Sequence, residues 1–280
     1  MKVIIHGGFF TESSTSDETK AAKQQALLRI VKSSYEYLKT HTASETVVYA
    51  VSQLEDDALF NAGKGSQIQA DGKIRMSASL MDGKTQMFSG VINIEDVKNP
   101  IFVAEKLAPY DDRVLGGEGA IKFAREHGFE QYSVETPDRR KEYEEKLKSK
   151  GHGTVGAVAL DQYGNLAAAT STGGKGFEMP GRISDSATVA GNYANGNCAV
   201  SITGVGEDII RNATAIKIAT RVTDGFTLEQ AFAKTFGELS VFDGFAGAIA
   251  LDTSGNVFHQ DSHPTMVFAT FDGDTEEVFS

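Results

Sequence analysis

Apolar and polar residues recur along this chain with two different periods, which predict both helices and strands. Apolar side chains recur at helical spacing over residues 19–40, and a second helix follows with Ser44 as its predicted N-cap. Strict alternation over residues 72–82 predicts a half-buried strand, which pairs through a short turn with a second strand over residues 87–94.

The remaining predicted elements are shorter and are separated by turn residues. A strand over residues 2–6 ends at a Gly-Gly turn, and Pro100 begins a short helix because proline fits the first helical position. Residues 156–165 and 247–256 have similar sequences, and each predicts a hairpin. The pattern further predicts helices over residues 118–127, 207–223 and 227–238, and a strand pair around residues 195–196.

Residues 135–150 break this pattern, because eleven of these sixteen residues are charged and Pro137 lies near the start. Such a segment is typical of a solvated linker or a loose helix, and we place the linker over about residues 134–153. Antiparallel hairpins combined with consecutive helices predict an α+β fold. A four-layer α–β–β–α sandwich with mostly antiparallel sheets fits this order of elements, and so would other α+β folds.

Composition and charge narrow the range of functions. The chain has 280 residues and a net charge of −11, which argues against nucleic acids and anionic membranes as partners. The apolar runs are too short for a transmembrane helix, and the first residues lack the pattern of a secretory signal. A single cysteine cannot form an internal disulfide, so we expect a thiol-tolerant, cytoplasmic protein.

Several common motifs are incomplete or absent. Residues 61–66 contain a Gly-Lys pair but fail the phosphate-loop pattern, because Ala58 stands at the first glycine and Gly65 at the Ser or Thr. Residues 151–156 match G-x-G-x-x-G but lead into a strand, which is the wrong context for a dinucleotide site. The six histidines are scattered, so we expect neither a catalytic metal nor a catalytic cofactor.

A threonine directly after the charged segment supplies a candidate nucleophile. Thr154 follows Gly153 and opens a strand of small residues. Cleavage of the bond between them would free an α-amino group with a pKa of about 8, which can act as a base at neutral pH. Thr154 would then carry both the nucleophile and its base. The pattern alone does not separate this reading from an ordinary threonine at the start of a strand.

Four motifs from Gly153 onwards make the chain similar to a known family. They are GTVGAVALD at residues 153–161, AATSTGG at 168–174, PGRISDS at 180–186 and TGVGE at 203–207. With them the chain resembles the plant-type asparaginase / isoaspartyl peptidase family, whose members are N-terminal-nucleophile hydrolases. Upstream motifs match in the same order, at residues 6–8, 59–66, 81–83, 98–101 and 117–120. The resemblance therefore spans nearly the whole chain.

The resemblance implies a role for the residues of the downstream motifs. Thr154 is similar to the family's autocatalytic nucleophile, and Thr172 to a second threonine whose hydroxyl bonds to it. Arg182 and Asp185 resemble a pair that binds the α-carboxylate and the α-ammonium group of an aspartyl head group. Without the resemblance, this pair would be interpreted as a surface ion pair of small energetic value.

The resemblance also implies an oxyanion hole and a metal site. Thr203 and Gly204 are similar to the family's oxyanion donors, a hydroxyl and a backbone N–H. Asn61 matches a family asparagine near the active site, which we group with the substrate-binding residues. Residues 54–64 resemble a loop that binds a structural sodium ion. The implied ligands are the main-chain carbonyls of Leu54, Glu55, Asp57, Phe60, Ala62 and Lys64.

The family's chemistry implies a single domain, residues 1–280, that cleaves itself into an α subunit of residues 1–153 and a β subunit of residues 154–280. Thr154 would attack the side-chain carbonyl of an aspartyl unit, an amine or ammonia would leave, and water would release aspartate from the acyl-enzyme. The expected small-molecule substrates are β-aspartyl (isoaspartyl) dipeptides and L-asparagine. The resemblance also implies a dimer of αβ units.

Two alternatives stay open. One is a glycosylasparaginase-like hydrolase, although the lack of a secretory signal pattern and the single cysteine speak against it. The other is an uncleaved, catalytically silent binding protein on the same scaffold. The chain departs from the family's pattern at residues 9–10, Ser77, Ser184, Ala187 and residues 258–264. The first four departures bear on the pocket lining or on the self-cleavage.

Overall fold

The computed structural model describes residues 1–9, 16–145, 153–263 and 265–280. These residues form eight helices and twelve strands, which confirms the predicted α+β class. The helices are α1 Asp17–Leu38, α2 Ala43–Asp56, α3 Pro100–Leu107, α4 Gly117–Glu126, α5 Pro137–Glu144, α6 Gly206–Asn212, α7 Thr214–Thr223 and α8 Leu228–Ser240. The strands are β1 Lys2–Phe9, β2 Met76–Asp82, β3 Met87–Ile94, β4 Val114–Gly116, β5 Val155–Leu160, β6 Leu166–Thr172, β7 Asn192–Ala194, β8 Cys198–Gly204, β9 Ala246–Asp252, β10 Val257–Asp261, β11 Met266–Phe271 and β12 Glu276–Val278.

The strands form two sheets. The larger sheet has eight strands in the order β12-β11-β1-β5-β6-β2-β3-β4, and the smaller has four in the order β10-β9-β8-β7. The larger sheet is mixed, because β3 and β4 run parallel while its other neighbouring strands run antiparallel. The smaller sheet is antiparallel. Strands β1, β5 and β6 lie side by side in the interior of the larger sheet. Their side chains are buried on both faces of the sheet.

The two sheets contact each other, and each also contacts helices. Strands β5 and β6 contact β8, whereas α1, α2 and α3 contact the larger sheet and α7 and α8 contact the smaller. Side chains alternate across β8 as strand geometry requires. Ala199 joins the core shared with the larger sheet, while Val200 and Ile202 join the core beneath α7 and α8. Side chains of β8 that face the larger sheet can therefore reach groups on β1, β5 and β6.

Two strand predictions need correction. Strand β1 continues to Phe9 through the predicted Gly-Gly turn, and the register of its pairing with β11 shifts between His6 and Phe9, where the two glycines lie. The strand predicted over residues 72–82 begins only at Met76, and it is buried on both faces rather than half-buried. The reason is tertiary, because β2 contacts α3 as well as β7 of the smaller sheet.

Two helix predictions also need correction. The N-cap of α2 is Thr42 rather than Ser44, since the Thr42 hydroxyl accepts from the backbone N–H of Glu45 and the Glu45 carboxylate accepts from that of Thr42. The helix predicted over residues 207–223 is broken at Ala213, which adopts a left-handed conformation with φ of 51° between α6 and α7. Neither Gly nor Pro marks that break in the sequence.

The first predicted hairpin is confirmed, because the carboxylate of Asp161 accepts from the backbone N–H groups of Tyr163 and Asn165 in the turn between β5 and β6. Helix α5 occupies part of the predicted charged linker, and residues 146–152 of the linker lie outside the described residues. Across the described parts of the chain, no helix is long and apolar enough to cross a membrane.

Candidate active site

The predicted site residues lie at the ends of neighbouring strands and in the loops beside them. Thr154 directly precedes β5, Thr172 is the last residue of β6, and Gly204 is the last residue of β8. Arg182 and Asp185 lie in the connection between β6 and β7. A pocket is lined by six of the eight predicted residues, namely Gly153, Thr154, Thr172, Arg182, Asp185 and Gly204, with Ser184 among its other lining residues. Thr203 and Asn61 stand outside this lining.

The predicted nucleophile is in direct contact with the second predicted threonine. The Thr154 hydroxyl donates to the Thr172 hydroxyl oxygen across 3.2 Å, and both side chains are buried. The backbone N–H of Gly174 also donates to the Thr172 oxygen, at 3.2 Å. With two donors directed at its oxygen, the Thr172 hydroxyl acts as an acceptor for the hydroxyl of the predicted nucleophile, and its own proton is left for a third partner.

Asn61 holds the main chain around this pair. Its side-chain amide donates to the carbonyl of Gly174 at 2.5 Å, and its side-chain oxygen accepts from the backbone N–H of Gln67 at 3.0 Å. A Cβ at Gly153 would lie 2.5 Å from the Cβ of Asn61, so a larger residue before Thr154 would collide with it. The geometry thus places Asn61 behind the turn at Gly174 and against the predicted scissile bond.

Arg182 is already engaged by a carboxylate that the sequence prediction did not assign to the site. Its Nε and Nη2 groups lie 2.8 and 2.9 Å from the two carboxylate oxygens of Glu207, a bidentate pair. Lys175 lies 3.4 Å from the same carboxylate. These partners lower the pKa of Glu207 to about 2, chiefly through the hydrogen bonds from Arg182. The sequence signal for Glu207 was its place in the TGVGE motif, in the first turn of a helix.

Asp185 is a buried carboxyl group with an unsatisfied oxygen. Its side chain is 2% exposed, and Oδ2 has no hydrogen-bond partner among the described residues. Burial raises the pKa of Asp185 to about 7, with the nearby charge of Arg182 acting in the opposite direction. A Cβ at Gly206 would lie 2.8 Å from Arg182 Nη2 and 2.9 Å from Asp185 Oδ1, so both groups converge on that glycine. The arrangement can accept a ligand that carries a positive group.

Thr203 offers a second unsatisfied group. Its side chain is fully buried, and its hydroxyl oxygen has no partner among the residues described. Most buried hydroxyls in proteins are paired, so an unpaired one beside a pocket is a candidate for ligand contact. The pocket itself is small, at about 20 Å³, which leaves room for roughly one water molecule. Gly153 lines this pocket, so the residue before Thr154 occupies space next to the predicted nucleophile.

The predicted sodium loop runs from the last turn of α2 to a short 3-10 turn at Gly63–Gly65. A Cβ at Gly65 would lie 1.9 Å from the carbonyl oxygen of Phe60, and one at Gly63 would lie 2.4 Å from that of Glu55. Two of the six predicted ligand oxygens are therefore crowded into space that a side chain would fill. Carbonyl oxygens are ligands for hard cations, so this loop fits the implied sodium ion. Within the described ranges, no group of three or more His, Cys, Asp or Glu side chains could hold a metal ion.

Comparison with known proteins identifies the family of the chain. Residues 1–279 match the profile of an asparaginase family. The chain belongs to that family. The isoaspartyl peptidase/L-asparaginase of Synechocystis sp. is 44% identical over 301 aligned positions, which cover 99% of this chain and 91% of that protein. The protein of the same name from Nostoc sp. is 42% identical, with 98% and 92% covered. The isoaspartyl peptidase of Salmonella typhimurium is 37% identical, with 91% of both chains covered.

Three departures from the family pattern lie near the site. Ser77 is buried opposite Thr172 in the pairing of β2 with β6, and its hydroxyl oxygen accepts from the backbone N–H of Asn93. Ser184 lines the pocket, but its hydroxyl oxygen accepts from the backbone N–H of Ser186. Ala187 is buried at the end of a 3-10 turn over Asp185–Ala187. The hydroxyl oxygens of Ser77 and Ser184 thus accept hydrogen bonds from nearby main-chain N–H groups. Among the other departures, Phe10 and Pro264 lie outside the described residues.

Proposed function

We propose that this chain is an autoprocessing threonine amidohydrolase that acts on β-aspartyl (isoaspartyl) dipeptides and on L-asparagine. The observation that carries the proposal is the 3.2 Å contact between the Thr154 and Thr172 hydroxyls, beside a pocket lined by Arg182, Asp185 and Gly204. Relatives that cover more than 90% of the chain bear the names isoaspartyl peptidase or isoaspartyl peptidase/L-asparaginase, which supports the same activity.

Self-cleavage is the first step of the proposed mechanism. The Thr154 hydroxyl attacks the carbonyl of Gly153, the Thr154 amide nitrogen leaves as an amine, and an ester joins the two residues. Water hydrolyses this ester and separates residues 1–153 from residues 154–280. Close packing of Gly153 against Asn61 supports this step, because it restricts the residue that carries the scissile carbonyl. Departure of Gly153 would also enlarge the pocket, which is too small for a substrate in the uncleaved chain.

Hydrolysis of the substrate then uses the new α-amino group of Thr154 as the base. The hydroxyl gives its proton to this amine and attacks the side-chain carbonyl of the aspartyl unit. Thr203 donates its hydroxyl, and Gly204 its backbone N–H, to the oxyanion that develops. The leaving amine or ammonia takes the proton, and water releases aspartate from the acyl-enzyme. The unpaired hydroxyl of Thr203 supports this role because it is free to donate to a ligand.

Substrate recognition is assigned to Arg182 and Asp185. The carboxylate of Asp185 would accept from the substrate's α-ammonium group, and Arg182 would bind the α-carboxylate, since Oδ1 of Asp185 and Nη2 of Arg182 both lie close to Gly206 of the pocket lining. Since Glu207 holds Nε and Nη2 of Arg182, the substrate carboxylate meets a guanidinium whose plane is already fixed. This combination selects molecules that carry both charges, as free asparagine and the aspartyl unit of a β-aspartyl dipeptide do.

We also propose that the loop over residues 54–64 holds a structural sodium ion. The ligands would be the main-chain carbonyls of Leu54, Glu55, Asp57, Phe60, Ala62 and Lys64. When bound, the ion would supply a positive charge that holds these carbonyl oxygens close together. It would take no part in the reaction. Asn61 lies within this loop, so the rigidity of the loop would be passed to the main chain around Gly153 and Gly174.

Three finer features belong to the same proposal. Contacts of the two sheets with each other and with α1–α3 and α7–α8 support a four-layer α–β–β–α sandwich. The resemblance to the family supports a dimer of αβ units. The single cysteine supports a cytoplasmic location. Light scattering of the purified protein tests the assembly, since the dimer should have twice the mass of one 30.0 kDa chain.

Intact mass spectrometry tests the proposed function. After incubation, the wild-type protein should give fragments of 153 and 127 residues, the second beginning at Thr154, while Thr154→Ala should remain a single chain. The cleaved protein should hydrolyse β-Asp-Leu and asparagine. A wild-type protein that stays full length and inert toward β-aspartyl dipeptides would be the silent binding protein instead. Equal or greater activity on GlcNAc-asparagine would favour a glycosylasparaginase-like enzyme.

A further inference from the structure

The proposed reaction needs groups from both sheets to meet at one carbonyl. Thr154 directly precedes β5 of the larger sheet, while Thr203 and Gly204 end β8 of the smaller sheet. Errors of about 1 Å in the placement of such groups can reduce a rate by about 100-fold. The fold therefore requires a connection that fixes the distance between these two strand ends.

His6 of β1 makes such a connection. Its Nδ1 lies 3.1 Å from the main-chain carbonyl oxygen of Thr154, and its Nε2 lies 2.9 Å from the hydroxyl of Ser201. Ser201 lies on β8 only two residues before Thr203, and the side chains of His6 and Ser201 are fully buried. One imidazole thus links the predicted nucleophile residue to the strand that carries the predicted oxyanion donors.

The partners determine the direction of each hydrogen bond. The Thr154 carbonyl can only accept, so Nδ1 of His6 carries the proton. Burial lowers the pKa of His6 to about 3, so the imidazole is neutral and its Nε2 accepts from the Ser201 hydroxyl. Thr170, whose hydroxyl lies 2.7 Å from that of Ser201, then donates to Ser201. The four groups form one directed string of hydrogen bonds that ends on the Thr154 carbonyl.

The sequence leaves space for this string at Gly156. This residue lies opposite His6 in the pairing of β1 with β5. A Cβ at Gly156 would lie 2.4 Å from Nε2 of His6 and 2.0 Å from the hydroxyl oxygen of Ser201. Any side chain at this position would displace the His6–Ser201 bond, so the small residue and the bond belong to one arrangement.

We propose that His6 is a positioning residue, which ties the main chain of Thr154 to Ser201 and so sets the distance between the nucleophile and the oxyanion donors. The inference rests on the proposed function. His6 acts through Thr154 and Ser201 and needs no contact with the substrate. Its loss should therefore lower kcat and the rate of self-cleavage, both of which need Thr154 in place, and leave KM unchanged.

Two amide variants of His6 distinguish a role in positioning the Thr154 main chain from a role in filling the buried space. The side-chain nitrogen of His6→Asn can take the place of Nδ1 and still donate to the Thr154 carbonyl. The longer side chain of His6→Gln reaches toward Ser201 instead and loses that donor, although its volume is closer to that of histidine. We expect His6→Asn to keep kcat within about tenfold of wild type and His6→Gln to lose about 100-fold. KM for β-Asp-Leu should change less than twofold in both variants, with kcat counted per cleaved subunit by mass spectrometry.

Equal or greater activity of His6→Gln relative to His6→Asn would overturn the proposal, and so would a loss carried by KM. Ser201→Ala provides a second test in case neither His6 variant folds. It removes the partner of Nε2 and should lower kcat about tenfold at constant KM. Its matched control is Ser34→Ala, which removes another buried serine hydroxyl whose bond lies within α1.

A kcat of Ser201→Ala equal to that of Ser34→Ala would also overturn the proposal. The wild-type protein, assayed in parallel, separates the two levels of inference. If the wild type neither cleaves itself nor hydrolyses β-Asp-Leu, the proposed function fails. If the wild type is active and the His6 and Ser201 variants match it, the proposed function stands and only the role of His6 fails.

Discussion

The guanidinium of Arg182 faces the carboxylate of Glu207, with Nε and Nη2 at 2.8 and 2.9 Å from its two oxygens. The residue proposed to bind the substrate's α-carboxylate is therefore held in place by another carboxylate of the same chain. The side chain of Arg182 is largely buried, with 13% of its surface exposed, while that of Glu207 is 52% exposed. The pair orients the guanidinium from the solvent side and leaves its remaining edge for a ligand.

Replacement of Glu207 by Gln should weaken substrate binding more than it slows the reaction. The amide keeps the shape of the carboxylate but loses one acceptor and the charge that hold Arg182. A half-exposed ion pair is worth at most about 1 kcal/mol, so we expect KM for β-Asp-Leu to rise about fivefold with kcat within about twofold of wild type. Steady-state kinetics measures both constants.

Glu229→Gln is the matched control for this prediction. It is also a glutamate in the first turn of a helix, but it is exposed on α8 and lies outside the pocket. Its KM should equal that of the wild type. A Glu207→Gln variant with unchanged KM would mean that Glu207 does not hold Arg182 for substrate binding.

The raised pKa of Asp185 predicts a pH dependence of substrate capture. Burial holds this pKa at about 7, and only the ionised carboxylate can pair with the substrate's α-ammonium group. The value of kcat/KM should therefore fall about tenfold for each pH unit below 7 through this group alone. At saturating substrate the bound ammonium keeps Asp185 ionised, so kcat should hold to lower pH. The pH profile of Asp185→Asn, with a lower plateau, should lack this limb.

The same group predicts that stability changes with pH. Since the folded-state pKa of Asp185 lies above its ordinary value of 3.8, the native state binds this proton more tightly than the unfolded chain does. Its contribution to stability is therefore present below about pH 4 and is lost as the pH rises toward 7. Three pKa units correspond to about 4 kcal/mol.

Thermal denaturation in an uncleaved Thr154→Ala background measures this effect without the complication of two chains. Asp185→Asn should raise Tm relative to that background at pH 8, because it removes a buried charge. The two Tm values should converge at pH 4, where Asp185 is protonated in the native state. A Tm difference that is the same at both pH values would contradict the assignment.

Local turn chemistry explains which parts of the fold the sequence could predict. The hairpin at Asp161 was predictable because its carboxylate bonds to N–H groups only two and four residues away. The break at Ala213 was not, since alanine carries no signal for a left-handed conformation. The full burial of β2 could not be predicted either, because it depends on contacts with α3 and β7, which come later in the sequence.

The candidate site likewise contains residues that the sequence could predict and residues that it could not. Thr154 and Thr172 were found from short motifs, and the structure places their hydroxyls 3.2 Å apart. The roles inferred here for Glu207 and His6 depend on partners that are 25 and 148 residues away in the chain. A pattern in one sequence can mark such residues as part of a motif, but it cannot show which distant residue each of them contacts.

Sodium should stabilise the protein through the loop over residues 54–64. Exchange of Na⁺ for choline at constant ionic strength should lower Tm in the wild type. Gly65→Ala should abolish this response, because its Cβ would lie 1.9 Å from the Phe60 carbonyl oxygen and would push a proposed ligand away. Gly237→Ala, at a helical position with no atom within 4 Å of its added Cβ, is the control and should respond to sodium like the wild type. Equal Tm of the wild type in both salts would contradict the sodium proposal.

Thr203→Val separates the oxyanion role from a structural one. Valine replaces the hydroxyl with a methyl group of similar size, so the buried volume is kept. Loss of one oxyanion donor typically lowers kcat by about 10²–10³-fold, and we expect a loss in this range with little change in KM. Because the Thr203 hydroxyl has no partner in the described part of the protein, its removal breaks no hydrogen bond there and should not lower Tm.

Thr270→Val gives the opposite pattern and serves as the control. The Thr270 hydroxyl donates to the carbonyl of Val3 at 3.0 Å in the larger sheet, outside the pocket. Its loss should lower Tm and leave kcat unchanged. If Thr203→Val instead lowered Tm and kept full kcat, Thr203 would be a structural residue and the oxyanion would depend on Gly204 and other donors. Measurement of kcat and Tm on both variants therefore assigns the hydroxyl of Thr203 to one role or the other.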